Sequence, residues 1–584
     1  MGTFPGQKPE TISGQAGPAL VKIVEQLKLP AAAADQICAL ADKLVGPLGV
    51  STKSEPRPIG SDGSSFAFSI VLDDQRPEIH LLWQPVPATA EPEARAAAAA
   101  EEQARLQEIF GASAARFELV ASIMLPGGAA EGRALHYSAR VWPALKSPRI
   151  VAHFDAQALG SLQGPRLVEE TLSRLGLDKA WIAVSDAMPR GPEVDQVTSL
   201  AVELSSEADA GVEVRVRHQD LDPVTLQTLS TIAPIGEPGQ LERFVRGLTG
   251  GELSGVTVDT SLTFVSGQAK PVANTVHVPV CDLVEHDGQV ADHVAAASSA
   301  ASAKLHAALV AAVSKRALSG GVGITPSLSL RSPGARLSCQ LSLEQFGTKP
   351  PQSLTRTAAP VKPVEAMVTA YEAQPFSVHP FLQRMARGTV DVRHMWLMFS
   401  NVYAGLSQHF PRRLARVVHG VEDERIRCIL TEQLHEELGS GDYTRTHRRL
   451  FLHLLDALSP WKPSEVTADM GVPGAHLSER LEAVYYDPHP YAGVGAAIVI
   501  ELLGKQVDMF LAEQFRRQQA VGMASLEWLT LHESLEVDHA NESMELATFI
   551  EQDGDRAAAW RGGRAIHTTG WLFFDDMYRL CFGT

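Results

Sequence analysis

The sequence predicts two domains of different class, an α/β unit built around a closed antiparallel barrel and, after it, an all-α helical bundle. Three observations carry this reading. A chain of 584 residues exceeds what one hydrophobic core supports. Runs in which apolar residues alternate with polar ones recur up to about residue 345 and almost vanish beyond it, where the apolar period becomes helical. Between them lies "FGTKPPQSLTRTAAPVKPVEA", residues 346–366, rich in Pro, Thr and Ser and without a hydrophobic period, which reads as a linker. The expected division is a flexible N-terminus over 1–18, a barrel over 19–345, a linker over 346–372 and a helical domain over 373–584.

In the first part, helical stretches lead repeatedly into pairs of strands. A helical period over 19–46 is followed by "SSFAFSIVL" and "PEIHLLWQPV". An Ala-rich helix over 91–109 leads to "ALHYSARV" and "RIVAHFDA". A helix near 165–176 leads to "AWIAVSD", "SLAVEL" and "GVEVRVRH", and one near 238–248 to "VTVDTSLTFV" and "NTVHVPV". A long helix near 289–317 precedes "VGITPSLSL" and "ARLSCQLSL". Roughly five such units make about ten antiparallel strands surrounded by helices, and closing that sheet removes its unpaired edges. In "VEVRVRH", Val212, Val214 and Val216 point one way and Glu213, Arg215 and Arg217 the other. With helices over the valines, the charged side looks into the lumen, which makes the lumen a ligand site.

This order of helices and strand pairs resembles the aromatic prenyltransferase barrel of the dimethylallyltryptophan synthase family. The resemblance spans most of 19–350, through "PIGSDGSSFAFSIVL", "RIVAHFDA", "GVEVRVRH" and "GARLSCQLSLEQFG". It implies a glutamate on the first strand, basic residues alternating with tyrosines that hold diphosphate, and tyrosines that shield an allyl cation. Here the glutamate's place falls on Ala67, and the Lys and Tyr places fall on Val151 and His153 and on Glu213 and Arg215. Tyr137 is the one tyrosine in the first 350 residues, too few for such a shield. Arg215 and Arg217 are the residues expected to meet an anion, in a barrel that has diverged catalytically.

The second part reads as about seven helices, a compact bundle. Its strongest chemical signal is "HESLEVDH". His532, Glu536 and His539, spaced by four and three, share one helix face. Glu501 lies inside the apolar run "GVGAAIVIELLG", where an uncompensated carboxylate would be costly, so it calls for a cation. In "HEELGSGDYTRTH", Glu437 stands before a glycine-containing break and His447 opens the next helix; Glu436 is the rival for Glu437's place. Carboxylates and imidazoles without thiolate suit iron or manganese better than structural zinc. Two carboxylate-bridged metals would use the whole set, a single metal part of it.

These residues resemble the haem-oxygenase-like di-iron oxidase and oxygenase superfamily over about 373–584. The resemblance implies Glu437, His447, Glu501, His532, Glu536 and His539 as metal ligands and catalytic residues, two irons per chain cycling between Fe(II) and Fe(III), dioxygen as co-substrate, and an external electron donor as a partner. Glu536 stands where that superfamily has an aspartate. The stretch from Trp396 to Leu414 carries no acid, although some members have one there, and this favours desaturation or C–C cleavage over N-oxygenation. The implied substrate is a small organic molecule, amino-acid-derived or aromatic, in a secondary-metabolite setting. Two alternatives remain: a bifunctional enzyme that also prenylates in the barrel, and a metal-free binding protein or cofactorless oxidase.

Composition narrows the setting. A net charge of −17 without a basic cluster argues against nucleic-acid and anionic-membrane partners. Five scattered cysteines without a CxxC pair argue against a disulfide framework or a zinc ribbon. No stretch of about 18 apolar residues and no leader pattern is present, so a cytoplasmic protein is expected. The oligomeric state, a homodimer included, stays open.

Overall fold

A computed structural model describes residues 12–48, 59, 63–73, 77–85, 92–125, 135–142, 147–157, 159–207, 209–232, 239–344, 347–352, 361–373, 375–388, 391–518 and 527–583. The chain divides into two compact units, Met1–Pro189 with Val194–Arg356, and Arg190–Glu193 with Thr357–Thr584.

The first unit repeats one pattern five times, two helices and then two antiparallel strands. The order is α1 (Ile12–Gln26), α2 (Ala31–Val45), β1 (Phe66–Val71), β2 (Ile79–Trp83); α3 (Pro92–Phe110), α4 (Ala114–Met124), β3 (His136–Val141), β4 (Arg149–Asp155). The third repeat is α5 (Gln163–Arg174), α6 (Ala180–Asp186), β5 (Asp195–Glu203), β6 (Val212–His218). The fourth is α7 (Pro223–Thr231), α8 (Gln240–Thr249), β7 (Val258–Phe264), β8 (Ala273–Val278), and the fifth α9 (Val290–Ala297), α10 (Ala300–Val313), β9 (Leu328–Ser332), β10 (Arg336–Leu341). Neighbouring strands pair in sequence, and β1 closes on β10 with Phe68 opposite Leu341, giving a ten-stranded antiparallel barrel. The two-residue alternation sorts the side chains. Val212, Val214 and Val216 are fully buried on the outer side, while Glu213, Arg215 and Arg217 line the lumen.

Several elements differ from the sequence expectation, each for a local reason. "AWIAVSD" is helix α6, not a strand: Trp181, Val184 and Ser185 form its buried face, and a short apolar run does not by itself distinguish the two periods. The N-terminal helix begins at Ile12, inside the stretch expected to be flexible, and Pro30 separates it from α2. The long helix near 289–317 is two, because Ser299 leaves helical geometry and caps α10 by accepting from the Ser302 N–H. Helices α4 and α7 lack a clear apolar period in sequence and are additional. Tyr137, on the outer side, packs on Trp83 and Phe117.

The second unit comprises α11 (Glu365–Glu372), α12 (Pro380–Ala386), α13 (Val392–Val402), α14 (Phe410–Gly420), α15 (Glu424–Glu437), α16 (His447–Ala457), α17 (Val472–Tyr485), α18 (Pro490–Gln518), α19 (Glu527–Thr548) and α20 (Asp553–Phe582). Among the described residues ten α-helices thus stand where about seven were expected, and α11 falls within the expected linker. The single apolar period over "VDVRHMWLMFSNVYAGLSQHF" carries a π-helical turn, Tyr403–Ser407, between α13 and α14. Such turns are frequent at functional sites. The long helices α18 and α20 cross closely because Gly495 and Gly562 have no side chain. A Cβ on either would collide with the backbone carbonyl of Ala559 or Ala492. Among the described residues no helix is long and apolar enough to cross a membrane.

Candidate metal centre and barrel lumen

In the helical unit, three sequence-predicted residues meet at one cavity. Asp423 starts α15 by accepting from the Arg425 and Ile426 N–H groups, and Thr446 starts α16 by accepting from the Arg449 N–H. Between them Gly439, at φ 85°, makes the reversal; a Cβ there would meet the Asp442 carbonyl and the Thr446 nitrogen. The last residue of α15 is thereby set against the first of α16, with Glu437 Oε1 2.9 Å from His447 Nδ1. Glu437, His447 and Glu501 of α18 all line a cavity of about 170 Å³. Glu436 does not line it. Most of the rest of the wall is apolar, including Met398, Phe399, Phe410, Leu481, Leu503 and Trp528, and the π-helical turn contributes Leu406 and Ser407.

His532, Glu536 and His539 belong to α19, but their side chains lie outside the described residues. Among the described residues no group of three or more His, Cys, Asp or Glu side chains is set to hold a metal. The described donors are nonetheless of the chemical type that a metal takes. They are two carboxylates and an imidazole on an apolar cavity, a donor set suited to iron or manganese. The Tyr485 hydroxyl is buried with no hydrogen-bond partner among the described residues. Burial, and then the Glu501 and Glu437 carboxylates, hold its phenol well above the usual range, so it remains a proton donor.

Two residues escaped the sequence reading. Asp508 is only 7% exposed and lines the same cavity. It lies seven residues after Glu501, two helical turns on along the same face, just beyond the apolar run that drew attention to Glu501. Tyr485 ends α17, in line with Leu477 and Leu481 of the cavity wall, and gave no motif.

The barrel lumen is different in kind, a polar cavity of about 640 Å³ whose described lining contains no Phe, Tyr or Trp. Five arginines face it, Arg140, Arg215, Arg217, Arg331 and Arg336, against four carboxylates, Glu78, Glu203, Glu213 and Asp259; exposed Asp282 and Lys349 sit on its lining, one of each sign. Arg217 is bidentate on Asp259 at 2.8 and 3.1 Å. Arg215 donates to Ser261 and lies 3.7 Å from Glu213. Arg336 is 3.0 Å from Glu78. The lumen histidines are neutral: burial and then Arg215 push His153 and His277 down to about 3, and burial lowers His80. Glu78 is held at about 2, burial being outweighed by its hydrogen bond to His80 and by Arg336. Both sequence-predicted anion-binding residues therefore face the lumen, and both already have partners. On β1, Ala67 alternates in step with the lumen-lining Ser69 and Val71.

Comparison with known proteins agrees with both halves. Residues 398–571 match the haem-oxygenase-like family model described as iron-containing redox enzyme, a span that includes all six predicted metal ligands. The N-terminal region has the fold of dimethylallyltryptophan synthase-type prenyltransferases. It is similar to a 6-dimethylallyl tryptophan synthase, with 22% identity over 59% of this chain and 100% of that one at a TM-score of 0.54. It is also similar to the 6-dimethylallyltryptophan synthase from Micromonospora olivasterospora in complex with DMASPP and Trp, at 22%, 59%, 100% and 0.51. The 5-dimethylallyl tryptophan synthase from Streptomyces coelicolor gives 21%, 60%, 100% and 0.51.

Proposed function

We propose that the helical unit is a non-haem di-iron oxidoreductase that uses dioxygen to oxidise a small organic molecule, and that the barrel serves it as a binding unit without prenyl-transfer activity. The observation that carries the first half is the convergence of Glu437, His447 and Glu501 on one apolar cavity, within the span that matches the iron-containing redox family. His447, His532 and His539 would offer neutral nitrogen, and Glu437, Glu501 and Glu536 the negative charge that balances two ferrous ions. Bound iron supplies dioxygen activation. The chain's own part is to exclude water with Met398, Phe399, Phe410 and Trp528, and to keep a proton on Tyr485 beside the carboxylates. Such a cavity favours a substrate with an apolar body, in keeping with an amino-acid-derived or aromatic intermediate.

The barrel reading is supported by its wall. No Phe, Tyr or Trp ring is available in the described lining to shield an allyl cation, and Ala67 occupies the glutamate's place. The test is dioxygen uptake by ferrous-loaded protein across a panel of amino-acid-derived and aromatic compounds. At least one should stimulate uptake several-fold, and none should release diphosphate from dimethylallyl diphosphate. Uptake that is unaffected by every compound and by removal of iron would overturn the oxidase reading.

A further inference from the structure

Among the described residues the lumen lining holds one more arginine than carboxylates, and the cationic excess can be located. Arg217, Arg215 and Arg336 are accounted for by Asp259, Glu213 and Glu78. The fourth carboxylate, Glu203, lies 3.3 Å from Arg149 and only 3.9 Å from Arg140. Arg331 of β9 has no carboxylate within ion-pair distance and no hydrogen bond among the described residues, although it faces the lumen. Arg140 of β3 makes no hydrogen bond there either. His80 is the direct cross-strand neighbour of Arg140, and Arg331 stands opposite Arg336 on β10.

A confined guanidinium without an acceptor is costly, and here like charges add to the cost: burial and the neighbouring Arg140 and Arg336 pull Arg331 below the usual arginine range, against the pull of Glu213 and Glu78. An anion placed between Arg331 and Arg140 removes that cost and offers each fork the planar acceptor it matches. The charge count sets the valence. A single negative charge balances the described lining, whereas a diphosphate with about three would leave it more unbalanced, in the other direction. The rest of the lining limits the ligand's body. Ser69, Ser138, Thr263, Thr275, Ser327 and Gln340 offer hydrogen bonds, and the described lining contains no Phe, Tyr or Trp to cover the face of a large aromatic ring.

We infer that the barrel binds a compact, hydroxyl- or amine-bearing monocarboxylate without an aromatic ring, its carboxylate held by Arg331 and Arg140. The inference rests on the reading of the barrel as a binding unit and is independent of iron.

It is tested by calorimetric titration of the full chain at constant ionic strength with L-lactate, L-serine, L-glutamate, inorganic phosphate and inorganic diphosphate. At least one carboxylate should bind saturably, with Arg331→Gln and Arg140→Gln each weakening it tenfold or more and Arg331→Lys retaining part of the affinity. Circular dichroism on each variant checks folding, and either glutamine variant alone suffices if the other fails to fold. Saturable binding of phosphate or diphosphate alone, no binding by any probe, or carboxylate binding indifferent to both glutamine variants would overturn the inference. Release of diphosphate from dimethylallyl diphosphate would instead overturn the binding-unit reading on which it rests.

Discussion

Glu437 Oε1 lies 2.9 Å from His447 Nδ1, across the turn that joins α15 to α16. Ten residues separate the two in sequence, yet the end of one helix and the start of the next present them together at the cavity that Glu501 also lines. Replacing Glu437 with Gln keeps the shape and removes the charge. Ferrous-iron affinity should fall about 10- to 100-fold, measured by competition with a chelator, while the unfolding free energy stays within about 0.5 kcal/mol of wild type. The same change at Glu436, which does not line the cavity, should leave iron affinity within twofold.

The turn itself depends on Gly439. Its φ of 85° and the crowding of any Cβ by Asp442 and Thr446 leave no room for a side chain. Gly439→Ala should cost about 2 kcal/mol or more in denaturant unfolding, and should weaken iron binding because Glu437 and His447 separate. A variant as stable as wild type would show that the turn does not constrain the pair.

How much of this was legible in sequence follows from the distance over which each feature is decided. The barrel was legible because alternation is local: "VEVRVRH" already told its two faces apart. Five repeats then made closure the economical solution. The extra helices were not, since α6 is short enough for its apolar residues to satisfy either period. At the centre, Glu501 was conspicuous as a charge in an apolar run, and Glu437 and His447 through the glycine between them. Asp508 sat in a more mixed stretch, beside Lys505 and Gln506, where a carboxylate attracts no notice until the fold buries it. The saturation of Arg217 by Asp259 was likewise invisible, because it joins strands 42 residues apart.

A buried histidine–aspartate contact joins α12 to α20. Phe381 N–H donates to His379 Nδ1, leaving the proton on Nε2, which lies 3.3 Å from Asp575 Oδ1; both residues are fully buried or nearly so. His379→Ala leaves the Phe381 N–H without its acceptor and the buried Asp575 carboxyl without its neighbour, and should destabilise the protein by about 2–3 kcal/mol, read from urea unfolding. Asp575→Asn combined with His379→Phe should recover much of the loss. A loss under about 1 kcal/mol in the single variant would show that the pair is not what anchors α12.

The barrel should lose stability in acid. His153 and His277 titrate at about 3 in the fold but near the ordinary value of about 6.5 when unfolded. The unfolded chain therefore binds the extra protons first, and the histidines' contribution, complete above about pH 6.5, is lost as pH falls toward 3. Glu78, at about 2 in the fold, acts in the same direction below about 4.5. Unfolding free energy should therefore decline between pH 7 and 5, and the double change of His153 and His277 to Gln should flatten that decline. A pH-independent wild type over that range would contradict the neutral-lumen account.

The central claim is that the helical unit holds iron through side chains from α15, α16, α18 and α19. The most direct test is anaerobic loading of the full chain with ferrous iron, followed by removal of unbound metal and iron counting. About two irons per chain are expected, falling below one in the double change of His532 and His539 to Ala. Wild-type protein that retains no iron, or a double variant that retains the full complement, would contradict it.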